Sequence, residues 1–178
     1  MSDPKPFSPG KLVCGIISTA ALYFEYAEEK LSELFGPVDL KSPNREFDAT
    51  DYYEQEMGPG LRRVFLSFER LIRPEDLSEI KLKTNALEES IRAQFRSERR
   101  IVNLDPGYLS AAALIMATAK DFSHRVPLQH GIYAHLEFLF HKNGIQLLPW
   151  TYPDLRGDRY RAFFLEARRI YSAQLMKR

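Results

Sequence analysis

The run Leu12-Val13-Cys14-Gly15-Ile16-Ile17, inside a near-continuous apolar stretch over 11–19, constrains the fold more than any other segment. It is much shorter than the roughly 18 residues of a membrane span. It lacks the polar alternation of a half-solvated strand, so it predicts a buried one. Cys14 is the chain's one cysteine, so no disulfide can form within the chain. In such surroundings it reads as a small buried hydrophobe, not as a thiolate nucleophile.

The elements that follow suit a sheet with helices packed on it. A helix is expected over about 20–35, with Leu22, Tyr26, Leu31, Leu34 and Phe35 inward and Gly36-Pro37 as its stop. Short strands flank the Ser42-Pro43-Asn44 turn. Val64, Leu66 and Phe68 alternate with Arg63, Phe65, Ser67 and Glu69 in a strand over 62–72. Pro74 opens a long helix whose core face reads Leu77, Ile80, Thr84, Leu87, Ile91, Phe95.

A short strand over 100–104 comes next. Asp105-Pro106 then reads as an N-cap and first-turn proline, leading into an Ala-rich helix over 107–119. From 132 to 141 the period is two, with Ile132, Ala134, Leu136, Phe138 and Phe140 on one face. Asn143-Gly144 signals a hairpin to 145–148. A last helix is expected over about 158–176. The chain thus predicts an α+β fold, an α/β sandwich on a mixed, mostly antiparallel sheet. Its first six elements match a ferredoxin-like βαββαβ order, and a C-terminal β-hairpin and helix complete it. The 178 residues suit one domain, over 11–178, behind a loose leader at 1–10.

Charge bounds the partners. Twenty-five basic residues face 24 acidic ones, so there is no general pull toward nucleic acid or anionic lipid. The N-terminus shows no charged-then-apolar signal pattern, and a cytoplasmic location with no membrane partner is expected.

Six strings stand out together: FDATDYYEQEMG (47–58), KLKTNALEE (81–89), NLDPGYL (103–109), ATAKDFSHR (117–125), GIYAHLEF (131–138) and PWTYPDLR (149–156). This set resembles a bacterial family, domain of unknown function 4416, over nearly the whole chain. The resemblance implies no particular chemistry. The label "GTP-binding protein" that attaches to the family finds no phosphate loop here, because no Gly-x-x-x-x-Gly-Lys-Ser/Thr run occurs. Ala119-Lys120-Asp121 also lacks the spacer of guanine-reading motifs. Nucleotide binding of another kind stays open. No Ser-His-Asp order, Cys-x-x-Cys pair or dinucleotide glycine fingerprint is present.

Four constellations could carry chemistry. All four histidines fall between 124 and 141. His135 and Glu137 share a strand face with Tyr133 and His141, a spacing that could share a metal or a proton. The plainer reading is a solvated strand face, and no metal site is assigned. In the polar run Lys120-Asp121-Phe122-Ser123-His124-Arg125, Lys120 and Arg125 could hold an anionic group, with His124 as acid or base. The alternative is a helix C-terminus dressed with cations. Lys81, Asn85 and Glu88 form a polar stripe on the long helix, which also suits a solvent face. The aromatic and acidic segment with Tyr52 and Tyr53, like Trp150 and Tyr152, suits a pocket, an interface or a sheet edge. Asp105 reads as a helix cap first and a catalytic acid second.

The leading expectation is a protein, enzyme or plain binder, that takes an anionic small molecule such as a nucleotide or phosphorylated metabolite. Lys81, Asn85, Lys120, Asp121, Arg125, Tyr133 and Tyr52 would bind it, and His124 and Asp105 would act on it. No cofactor or oligomeric state is legible. The alternatives are a protein-interaction module built on 47–58 and 149–156, and, less favoured, RNA binding through Arg92, Arg96, Arg99 and Arg100.

Overall fold

The computed structural model describes residues 3–48, 53–142 and 144–177. The opening apolar run forms β1 (Gly10–Ser18), and all nine of its residues are buried. Side chains alternate across a strand, so the two halves of this run enter two different cores. Leu12, Cys14 and Ile16 join one cluster. Val13 enters a second and Ile17 a third, both on the opposite face.

The chain continues through α1 (Ala21–Phe35), β2 (Val38–Lys41), β3 (Arg45–Glu46), α2 (Glu54–Met57) and β4 (Arg62–Ile72). A 3-10 turn at Pro74–Asp76 leads into α3 (Leu77–Gln94). Then come β5 (Val102–Leu109), β6 (Ala113–Thr118), β7 (Val126–Pro127), β8 (Tyr133–His141), β9 (Gly144–Leu147) and α4 (Arg161–Met176). The sheet runs β2-β4-β1-β5-β6-β8-β7, with β3 on β4 and β9 on β8. All the pairings are antiparallel. Its β2-β4-β1-β5 portion, joined through α1 and α3, has the ferredoxin-like arrangement. The rest extends that sheet past β5. α1 and α3 pack on one face, where Phe24, Leu31, Ile80 and Ile91 meet β1. α4 packs on the other, placing Phe163, Phe164 and Ala167 against Val13 and Phe65. No helix of the described residues is long and apolar enough to cross a membrane.

Three local expectations are overturned. In α1 the buried stripe is Phe24, Ala27 and Leu31, while Leu22 and Leu34 are exposed. The stripe is rotated, and Tyr26 and Phe35 only border the core.

The expected helix over 107–119 is instead the β5–β6 hairpin. Ser110 shapes its turn: its backbone N–H donates to the Ala113 carbonyl, and its Oγ accepts from the Ala112 and Ala113 N–H groups. Alanine's helix preference is worth only a few tenths of a kcal/mol per residue. Burial of Leu109, Leu114 and Met116 in a two-residue rhythm outweighs it. Asp105 is therefore a strand residue, and no helix end stands before Lys120 and His124.

Finally, β8 is not half solvated. Leu114 pairs with Phe138 but Ile115 pairs with Leu136, so Glu137 is the extra residue of a β-bulge. The bulge puts His135 on the same face as Phe138. His135 and Glu137 are 1% and 0% exposed. The Asn143 half of the hairpin signal lies outside the described residues, as do Tyr52 and Ala49, the last residue of the short strand expected after the Ser42-Pro43-Asn44 turn.

Gly107 marks the tightest approach between β5 and β6. A Cβ there would stand 2.5 Å from the Ile115 carbonyl oxygen. Gly107→Ala should therefore cost about 1–3 kcal/mol through overpacking. Urea denaturation would measure it, and an unchanged midpoint would contradict this account of the hairpin.

Candidate functional site

The β5–β6 ladder runs from Leu109↔Leu114 to Gly107↔Met116 and stops. Pro106 is next and has no N–H to give. Beyond it the two strands part. The backbone of Leu104, left without a strand partner on that side, is met by α3. Its N–H donates to Glu88 Oε1 at 2.7 Å, and its carbonyl accepts from Lys81 Nζ at 2.7 Å. Arg100 donates to the other Glu88 oxygen at 2.6 Å and to Asn103 Oδ1. The stripe expected to face solvent is thus partly inserted into the fold. Lys81 and Glu88 are buried and Asn85 is half-buried. Burial pushes the Glu88 carboxyl up, and Arg100 and Lys81 pull against that rise.

A cavity of about 700 Å³ occupies the split. Its floor follows from register. Arg63, Ile17 and Asn103 lie in one cross-strand row, and Phe65, Gly15 and Asp105 in the next. The Arg63 guanidinium lies over Gly15, where a Cβ would come within 2.8 Å of Nη2. It donates to Asp154 Oδ2 at 2.7 Å and to Asp105 Oδ2 at 3.2 Å. Burial opposes its charge, but Asp154 and Asp105 prevail and hold Arg63 above the usual arginine value. Lys81 Nζ is 4.0 Å from the other Asp105 oxygen.

The rim comes from the segment after β6. Lys120, Asp121, Phe122 and Arg125 line the cavity with Tyr152 and Tyr53. Arg125 is held by three neutral acceptors: His135 Nδ1 at 3.2 Å, the Lys120 carbonyl at 2.7 Å and the Tyr152 hydroxyl at 3.1 Å. A guanidinium only donates, so Nδ1 of His135 is assigned as the acceptor and its proton placed on Nε2. That nitrogen lies 3.0 Å from Glu137 Oε2. The two atoms make no hydrogen bond, so the neutral imidazole and the carboxylate are in close contact only. Glu137 Oε1 accepts the Tyr152 N–H. The Tyr152 ring stacks on His135 at 5.0 Å, nearly parallel.

His124 stands behind this rim. Its Nε2 is 3.2 Å from His135 Nδ1, and its ring stacks on Trp150. Burial, then His135 and Arg125, lower its basicity, with Glu137 opposing.

The structure brings together Lys81, Asn85, Asp105, Lys120, Asp121 and Arg125 around one cavity. His124 reaches it only through His135 and Arg125. Tyr133 is half-buried, pairs with Thr118 and Pro127, and does not line it. Tyr52 lies outside the described residues. Sequence reasoning passed over Arg63 and Asn103 as site residues, and met Phe122 and Asp154 only among the polar and aromatic runs, with no role given to either. Arg63 carried a usable signal, since it shares a strand face with Phe65 and so points into a core. Trp150 is half-buried and donates to the Leu136 carbonyl at 2.8 Å. Among the described residues no three His, Cys, Asp or Glu side chains converge as a metal site. Burial pushes the Cys14 thiol up, away from thiolate chemistry.

Fold and site define an α+β domain with a charged cavity where its sheet divides. The chain belongs to the family described as Domain of unknown function (DUF4416), whose model matches residues 8–171. No curated protein and no solved structure matches it.

Two outcomes test this geometry. Lys81→Met leaves the Leu104 carbonyl unpaired and should lower stability by about 1–3 kcal/mol; an unchanged urea midpoint would count against the strut. The His124 ring should titrate below 6.5 by NMR, and higher in Arg125→Ala, which removes a neighbouring cation. The folded chain takes that proton less readily than the unfolded one, so this group withdraws stability as pH falls through 6.5.

Proposed function

We propose that the protein binds a small anionic ligand, a nucleotide or a phosphorylated metabolite, in the cavity at the β5–β6 split. The observation that carries this reading is the state of Arg125. Its guanidinium is fixed by three neutral acceptors, and no carboxylate among the described residues pairs with it. A positioned, uncompensated guanidinium suits phosphate or carboxylate recognition. The surroundings agree in sign. Five cationic side chains and three carboxylates line the cavity among the described residues. Its volume lies within the roughly 300–1,000 Å³ of small-molecule sites.

The inner cations have other duties. Arg63 is matched by Asp105 and Asp154, Arg100 by Glu88, and Lys81 supports Leu104. Anion binding therefore falls to the rim, to Arg125 with Lys120 beside it. Any proton transfer would fall to His124, whose Nε2 lies against the same His135 nitrogen that holds Arg125.

The test is a thermal-shift screen of the full chain with nucleoside phosphates, sugar phosphates and inorganic phosphate. A ligand at 100 times its dissociation constant adds about 2.7 kcal/mol, readily seen as a raised Tm. Arg125→Ala should weaken such a ligand by roughly tenfold to hundredfold, as expected for one charge-assisted contact. No shift with any probe, or equal shifts in wild type and Arg125→Ala, would remove the proposal.

A further inference from the structure

The cavity floor carries two buried donors with no acceptor, Arg63 Nε and Asn103 Nδ2, and of these the amide is the one on a residue that no carboxylate pairs with. Asn103 is 2% exposed and lines the cavity. Arg100 donates to its Oδ1, and since a guanidinium cannot accept, the amide orientation is set. Nδ2 is then left buried without a hydrogen-bond partner. Buried polar groups in folded proteins are nearly always satisfied, so an orphan on a cavity floor points to something that enters the cavity. Register puts Asn103 opposite Ile17, in the row with Arg63, so its side chain shares the floor's face.

We infer that Nδ2 of Asn103 receives an uncharged acceptor, a carbonyl oxygen carried on a planar ring, and that the ligand joins this ring to the anionic group held at the rim. The inference rests on the reading of the cavity as an anion site and adds the chemistry of the ligand's other end. The acceptor is uncharged because the floor has no spare cation. Arg63 lies between Asp154 and Asp105, and Arg100 is paired with Glu88. A second anion there would meet the carboxylates of Asp105 and Asp154. The ring is planar because the cavity's uncharged lining is largely flat or apolar, with Ile17 paired to Asn103 and Tyr53, Tyr152 and Met116 around the same space. Aromatic walls of this kind favour stacked ligands.

Calorimetric titration of the full chain with two nucleotide pairs tests the inference. Inosine and adenosine 5′-monophosphates share a phosphate and a purine and differ by a carbonyl in place of an amino group. Uridine and cytidine 5′-monophosphates differ in the same way at C4, while both carry the C2 carbonyl. The carbonyl member of at least one pair should bind roughly tenfold to hundredfold more tightly, the span of one buried hydrogen bond made or left unmade. Asn103→Asp retains an oxygen for Arg100 and exchanges the donor for an acceptor, so it should abolish or reverse that ratio. A ratio within one variant is independent of any loss of stability. Equal affinities within both pairs, with neither pyrimidine nucleotide bound more tightly than adenosine 5′-monophosphate, would mean that water alone satisfies Nδ2, and would overturn the inference. An unchanged ratio in Asn103→Asp would do the same. Binding of sugar phosphates with none of the four nucleotides would overturn it too, yet leave the anion reading standing. Binding of no probe at all would overturn both.

Discussion

Leu104 has lost a neighbouring strand, and two side chains from a helix take that strand's place. Its amide meets Glu88 and its carbonyl meets Lys81, both at 2.7 Å. A buried peptide group without partners costs about 1–3 kcal/mol per atom, so β5 could not leave β6 without such a substitute. Because α3 supplies it, the sheet can divide without exposing or orphaning its backbone there. The cavity, its floor of Arg63 and Asn103, and its access to Asn85 all follow from that division. Pro106 sets where it begins, since a proline cannot extend the ladder by another donor.

The charges around the cavity fall into two layers. The inner layer is nearly self-balanced: Arg63 with Asp105 and Asp154, Arg100 with Glu88. Buried pairs of this kind contribute little net stability, because desolvation consumes most of the Coulombic gain. Their value here is geometric, for they hold the loop at Asp154 against the centre of the sheet. The outer layer is different. Arg125 is positioned by ring, hydroxyl and carbonyl, and keeps its field. The bulge at Glu137 is what lets His135 support it, by bringing that imidazole inward beneath the loop.

Much of the ferredoxin-like portion was legible from pattern alone. The apolar run of β1 and the alternation of β4 each have one reading, and the spacing of three and four in α3 marks its buried face. The stretch 107–119 misled because alanine carries a helix preference and Asp105-Pro106 resembles a helix start. Its strand character shows only once an open sheet edge beside β1 is known to need a partner. The bulge in β8 was also invisible, since one skipped pairing depends on Leu114 and Ile115 across the strand. Lys81, Asn85, Asp105, Lys120, Asp121 and Arg125 were legible as polar groups in apolar company. Of Arg63 only the inward-facing position was legible, and the roles of Asn103 and Asp154 were not, because they lie in register and in burial, which are long-range properties.

Just three residue pairs join β5 to β6, and this short ladder is the seam between the ferredoxin-like sheet and its extension. A short ladder is a compliant place within a sheet, because low-stability openings concentrate where backbone pairing is sparse. The rim loop rides on β6 and β8, while the floor rides on β1, β4 and β5. Flexing at this seam therefore changes the distance between Arg125 and Asn103 while each stays fixed to its own support. Movement of the two portions about this seam and the span of the cavity are the same coordinate.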